Sequence, residues 1–158
     1  MAGMSAAQRM SVYDVDPEAF AGVLGLQKYV NSSGLGTDLL AIVDIRASQI
    51  NHCAWCLDMH TAEARDAGVA QRRIDLIAAW REAPGMFSER EQAALAFTEQ
   101  VTLLSEQGVT DEVWARVTAE FDDKAVVGLL MAIATINVWN RMNVAARTAL
   151  PDKPAAAG

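Results

Sequence analysis

Apolar residues fall on one helical stripe after another along this chain. Leu39, Val43, Ala47 and Ile50 recur at spacings of four, four and three, the period of one face of an α-helix. Ile74, Ile77 and Ala78 form the inward side of a segment from 70 to 82, and Ala94, Phe97, Val101 and Leu104 that of another beginning at Ser88. The ends carry matching punctuation. Asp16-Pro17-Glu18 gives a cap, a proline at the first helical position and an acid in the first turn, opening a helix that runs to about Val30 and stops at 31–34. Thr37 or Asp38 caps the next helix, and Ser88 with Glu91 has the spacing of a capping box. Gly68 closes a helix over 54–66, Pro84-Gly85 ends the segment from 70, and Gly108 ends the one from Ser88. A shorter helix starts near Thr110, and the last runs from about 123 to 147. Nothing alternates convincingly with the period of two that a half-buried strand shows, and there is no tandem repeat. The pattern predicts an all-α domain.

The stretch from Ala125 to Trp139 is nearly all apolar, broken only by Gly128, Thr135 and Asn137. A helix without a polar face is buried on nearly all sides. A domain this small has limited surface to do that alone, so burial against a second subunit is expected. The run is fifteen residues long, short of the roughly 20 that span a bilayer. With 158 residues and 52% of them apolar, the chain suits one folded domain. Its expected limits are a flexible start over 1–14, a domain over 15–150 and a disordered tail over 151–158. The net charge of −7 argues against nucleic acid or an anionic membrane as partner, since both call for basic patches. The N-terminal residues lack the apolar core of a signal peptide, so the expected location is cytoplasmic.

Both cysteines and both histidines lie between residues 52 and 60, in "INHCAWCLDMHTAEARDAG". On a helix starting near Cys53, the spacing puts Cys53, Cys56 and His60 on one face. Unpaired backbone N–H groups at a helix start favour a thiolate, which points to Cys53 as the more acidic thiol. His60 is placed to accept a proton from Cys56, directly or through a water. A dithiol redox centre, a zinc site using Cys53, Cys56, His60 and His52, and plain core packing all fit these residue types. Structural zinc usually joins two separated knuckles, and here every ligand is local. His52 reads as a solvated surface residue, Trp55 as packing that faces away from the thiols, and Asp58 and Glu63 as solvated charges. No phosphate-binding or dinucleotide-binding glycine motif and no nucleophile elbow is present.

The segment "DIRASQINHCAWCLDMHTAEARDAG", 44–68, resembles the AhpD-like alkylhydroperoxidase branch of the carboxymuconolactone decarboxylase family. The shared elements are the S-Q-I-N lead-in, the C-x-x-C pair and a D-M-H that puts histidine four residues after the second cysteine. "INVWNRMNVAAR", 136–147, is similar to another segment of the same relatives. The resemblance implies an all-α, AhpD-like helical bundle that assembles as a homo-oligomer, a trimer or hexamer. It implies reduction of organic hydroperoxides, with Cys56 as peroxidatic thiol, Cys53 as resolving thiol and His60 in the proton relay. A dithiol donor such as a lipoylated protein would return the electrons, and no metal, flavin or haem cofactor is required. A different reading keeps the disulfide but uses it as a binding switch without turnover. Lactone decarboxylation is not expected, because that branch typically lacks the cysteine pair.

Two relay positions depart from the pattern. The glutamate twelve residues before the first cysteine is Ala41 here, and the residue before the second cysteine, often histidine in the relatives, is Trp55. Asp44 lies one helical turn from Ala41 and is the candidate substitute. On these grounds the expected peroxidase is a weak one, with His60 a poorer base than in the relatives.

Overall fold

Most stripes read from the sequence become helices with that stripe inward. The computed structural model describes residues 7–152. In chain order the helices are α1 (Val12–Val15), α2 (Pro17–Asn31), α3 (Thr37–Ile50), α4 (Ala54–Asp66), α5 (Gln71–Leu76), α6 (Glu89–Thr102), α7 (Leu104–Gln107), α8 (Asp111–Glu120) and α9 (Asp123–Ala146). Two short 3₁₀ segments, Ile77–Glu82 and Pro84–Met86, join α5 to α6. Among the described residues there is no strand.

Helix α3 is the centre of the bundle. Ile42, Val43, Ile45 and Ala47 have no accessible surface, and α4, α6 and α9 pack around it. The caps expected at Asp16 and Ser88 form. Asp16 accepts from the backbone N–H groups of Glu18 and Ala19, and Ser88 and Glu91 close a reciprocal capping box. At the start of α3 the N-cap is Gly36, with φ 89°, and no side chain caps it.

The inward stripes fail in two places, both where helical phase is lost. The segment from 70 to 82 is not one helix: Ala79 takes φ −121°, ψ 31°. The tighter 3₁₀ turn carries Trp80 inward in place of Ala78, which is exposed. Likewise α6 stops at Thr102, Leu103 is non-helical, and Leu104 restarts α7 pointing outward at 59% exposure. Trp80 then meets a half-buried carboxylate: its Nε1 donates to Glu99 at 2.9 Å, beside Arg46 at 2.8 Å and Arg81 at 2.5 Å. Burial alone would raise the Glu99 pKa, but the hydrogen bonds from Trp80 and Arg81 and the Arg46 charge hold it below the usual value.

The described part of the start expected to be flexible is tied to the far end of the chain. The Arg9 N–H donates to the Ala146 carbonyl at 2.8 Å, Gln8 accepts from the Ala149 N–H at 3.0 Å, and α1 begins at Val12. The opening residues are therefore laced to the end of α9. Residues 1–6 and 153–158 lie outside the described residues, and most of the expected tail falls among them. Helix α9, with 24 residues, is longer than its apolar run and is long and apolar enough to cross a membrane by length and composition. It packs along α2, α3 and α6. Val127, Leu130 and Val144 remain exposed on it.

Candidate active site

The turn from α3 to α4 places the first thiol. His52 takes a left-handed backbone, φ 54°, and is exposed; histidine is among the residues that enter that region more readily. The chain then reverses, and the Cys53 N–H bonds the Ser48 carbonyl at 3.0 Å. Cys53 becomes the N-cap of α4, its Sγ accepting from the Cys56 N–H at 3.3 Å, the place usually held by Ser, Thr, Asp or Asn. The buried side of α4 is Cys56, His60 and Ala64, so Cys53, Cys56 and His60 share the inner face that their spacing predicts.

Both cysteines are free and buried, with sulfurs 2.6 Å apart. The pair is electrostatically unequal. The Cys56 thiol hydrogen bond is the largest influence on Cys53 and lowers its pKa to about 7; burial opposes this, and the Cys56 N–H, Asn140 and His60 assist. Cys56 is pushed up for the complementary reasons: it is the donor to Cys53, it is buried, and the charge on Cys53 repels a second one. Cys53 is thus the more acidic thiol, as its helix-start position suggests, but the Cys56 thiol is a larger cause than the backbone N–H at the helix start.

Two residues from α9 complete the thiol environment, and sequence reasoning assigned neither a role. Asn140 is fully buried. Its amide donates to Ser48 Oγ at 2.9 Å, its carbonyl accepts from Asn51 at 2.9 Å, and its nearness to the thiols favours their ionised forms. Asn143 donates to Cys56 Sγ at 3.6 Å and to the Trp139 carbonyl at 3.0 Å. The available signal was Asn137, Asn140 and Asn143 at spacings of three in a helix that reads as buried, where each amide needs a partner.

His60 is held from two sides. Its Nδ1 lies 2.8 Å from Glu63 Oε2 and 3.6 Å from Asp44 Oδ2. An ionised carboxylate only accepts, so Nδ1 carries the hydrogen and Nε2 presents its lone pair. That Nε2 is buried without a hydrogen-bond partner. Glu63, read from sequence as a solvated charge, has an exposed carboxylate that is nonetheless bound to His60. Asp58 is half-buried. Asp44 faces His60 from α3, so the imidazole does not lack a carboxylate although Ala41 supplies none. Burial raises the Asp44 pKa to about 7; the His60 charge pulls it down and Glu63 pushes it further up.

Beside these groups opens a cavity of about 920 Å³, lined in part by Ala41, Asp44, Trp55, His60, Trp139 and Asn143. Trp55 thus does more than pack away from the thiols: it lines the cavity and also packs against the cluster of Ala47, Cys53, Cys56 and Ile136. Neither cysteine lines the cavity. Asn143, a wall residue, touches Cys56 directly, so Cys56 lies one side chain behind the wall. Among the described residues, no group of three or more His, Cys, Asp or Glu side chains is arranged to hold a metal ion.

Residues 17–100 match the carboxymuconolactone decarboxylase family. The chain is 38% identical over 138 residues to the uncharacterized protein YdfG of Bacillus subtilis (strain 168), covering 87% of this chain and 93% of that one. A crystal structure of a protein of unknown function from Agrobacterium tumefaciens, provisionally described as the antioxidant defence protein AhpD, superposes with a TM-score of 0.90 at 38% identity. It covers 93% of this chain and 100% of that one. The debrominase Bmp8 shares the fold at a TM-score of 0.79 and 18% identity, over 88% of this chain and 74% of its own. With a family match over more than half of its length and an all-helical fold that superposes so closely, this chain belongs to the carboxymuconolactone decarboxylase family as an AhpD-like member.

Proposed function

We propose that the protein is a thiol peroxidase that reduces organic hydroperoxides at Cys53 and Cys56. The observation that carries this reading is the pair of adjacent buried thiols sharing one proton at the start of α4, beside His60. At rest Cys53 holds the negative charge and Cys56 the hydrogen. Cys56, the sulfur next to the cavity wall, passes its proton to Cys53 and attacks the terminal oxygen of ROOH. The O–O bond breaks, RO⁻ takes the proton back from Cys53 and leaves as ROH, and Cys56 becomes a sulfenic acid. The Cys53 thiolate then attacks the Cys56 sulfur. Hydroxide leaves and takes a proton that His60 Nε2 has first accepted from solvent, so that water departs, the imidazole returns to its neutral form and the disulfide forms. The dithiol has lost two electrons to the peroxide. An external dithiol, such as a lipoyl group on a protein, returns them by thiol–disulfide exchange and is itself oxidised to a disulfide. Glu63, half in solvent and bound to His60, links the imidazole to bulk protons.

The test is consumption of cumene hydroperoxide with dihydrolipoamide as donor. Cys56→Ser is expected to abolish it. Cys53→Ser is expected to stop turnover but leave a sulfenic acid on Cys56 that dimedone traps. A protein that closes and opens its disulfide yet consumes no peroxide supports the other reading, a redox switch. The burial of both thiols behind the cavity wall favours that alternative. Assembly as a homo-oligomer belongs to the same proposal, supported by the apolar side chains left exposed on α9.

A further inference from the structure

The cavity has a composition that the peroxidase chemistry alone does not require. Its volume of about 920 Å³ lies toward the upper end of pockets that hold drug-sized ligands, about 300–1,000 Å³. A peroxide no larger than hydrogen peroxide would leave nearly all of it empty. Along one side Tyr13, Phe20 and Trp139 form an aromatic ladder, with edge-to-face contacts at 5.4 and 5.3 Å between ring centroids. These rings support one another in fixed orientations, and Trp139 is further held by its Nε1 bond to Gln27 at 3.0 Å. A ligand ring or alkyl body meets a surface that is already formed.

The fixed charges on the wall are all of one sign, and the one imidazole there, His60, is already bound to Glu63 and faces Asp44. Asp44, Glu63 and Asp66 line it, and no lysine or arginine does. A carboxylate brought into this cavity would lose its water, find no lysine, arginine or unpaired cation, and approach like charges; each of these opposes binding. An uncharged molecule meets none of the three penalties.

Resting on the peroxidase reading for the chemistry, we infer that this cavity seats the organic part of a bulky, uncharged hydroperoxide and discriminates against anionic ones. Specificity then comes from the sign of the wall as much as from its shape. Leu24 is the position from which to change that sign, because it lines the cavity yet is 48% exposed, so a lysine there keeps its ammonium group in water.

The experiment uses redox-inert alcohol analogues with the reduced, full-length protein. The matched pair is 4-(2-hydroxypropan-2-yl)benzoate and its methyl ester, with binding read by tryptophan fluorescence and calorimetry at pH 7.5. The ester is expected to bind about ten-fold or more tightly than the acid, the scale of a like charge brought into an unpaired site. Leu24→Lys, checked for unchanged helicity, is expected to strengthen acid binding and narrow that ratio. Equal binding of acid and ester overturns the inference, and so does a ratio that Leu24→Lys leaves unmoved. The alcohols need no turnover, which keeps the two claims separable. An intact ester preference in a protein that fails to consume cumene hydroperoxide supports the cavity assignment and removes the peroxidase reading. Equal turnover of hydrogen peroxide and of neutral and anionic aryl hydroperoxides retains the peroxidase and overturns the cavity assignment.

Discussion

At the scale of single residues, the site depends on which atoms hold protons. The low Cys53 pKa has the Cys56 thiol as its largest cause, so Cys56→Ala should move Cys53 from about 7 toward the ordinary thiol value of 9.0. Iodoacetamide alkylation rates against pH would show the midpoint shift; an unchanged midpoint would contradict the shared proton. The folded pKa of Cys53 lies below its unfolded value. Its contribution to stability is therefore full above pH 9.0 and is lost as pH falls through about 7. Asp44 has the opposite sign. Its folded pKa is raised from 3.8 to about 7, so the stability it contributes is full below 3.8 and is lost as pH rises through that window. Asp44→Asn should then be more stable than wild type above pH 7, by up to about 4 kcal/mol, the worth of the net shift at about 1.36 kcal/mol per unit, read as a higher unfolding temperature. The same change should slow the peroxide step about 10²-fold, the lower end of what acid–base assistance supplies. Ala41→Glu should bring no gain in rate, because Asp44 already occupies the carboxylate position beside His60.

At the scale of elements, α9 is as much a part of the site as α4. Asn140 satisfies Ser48 and Asn51 and favours ionised sulfur from the opposite helix. Asn140→Ala leaves buried polar partners unmatched, which costs about 1–3 kcal/mol, and thermal unfolding would measure it. The same variant should raise the Cys53 pKa, an effect that a purely structural asparagine would not have. Much of this architecture was legible in the sequence, because helical period and caps are local. The stripe on α3, the caps at Asp16 and Ser88, and the shared face of Cys53, Cys56 and His60 depend only on spacing. What the spacing could not show is where a neighbouring helix aims a side chain. Asp44, Asn140 and Asn143 reach the site across helix–helix packing, and Glu63 looked solvated because its carboxylate is, apart from one bond. The misplaced Ala78 and Leu104 have a different cause: helical phase carries only as far as the helix continues, and Ala79 and Leu103 interrupt it.

At the scale of the whole molecule, Val127, Leu130 and Val144 are large apolar side chains left in water on the longest helix. The expected assembly would cover them. Light scattering should give a mass that is a multiple of 17.0 kDa, and Val127→Lys with Leu130→Lys should reduce it while leaving helicity unchanged. A wild-type monomer at micromolar concentration would reject the assembly. One further property follows from the cap of α4. An ionised Cys53 accepts the Cys56 N–H and lies at the positive end of a helix, and closing the disulfide removes that charge. Folding thus favours the dithiol over the disulfide, which raises the reduction potential. On the proposed cycle the disulfide form would be a ready oxidant of small dithiols, and the dithiol form is the one expected in a reducing compartment. Redox equilibration against glutathione should place its couple well above those of structural disulfides. In the proposed cycle the return of electrons is then the thermodynamically favoured half.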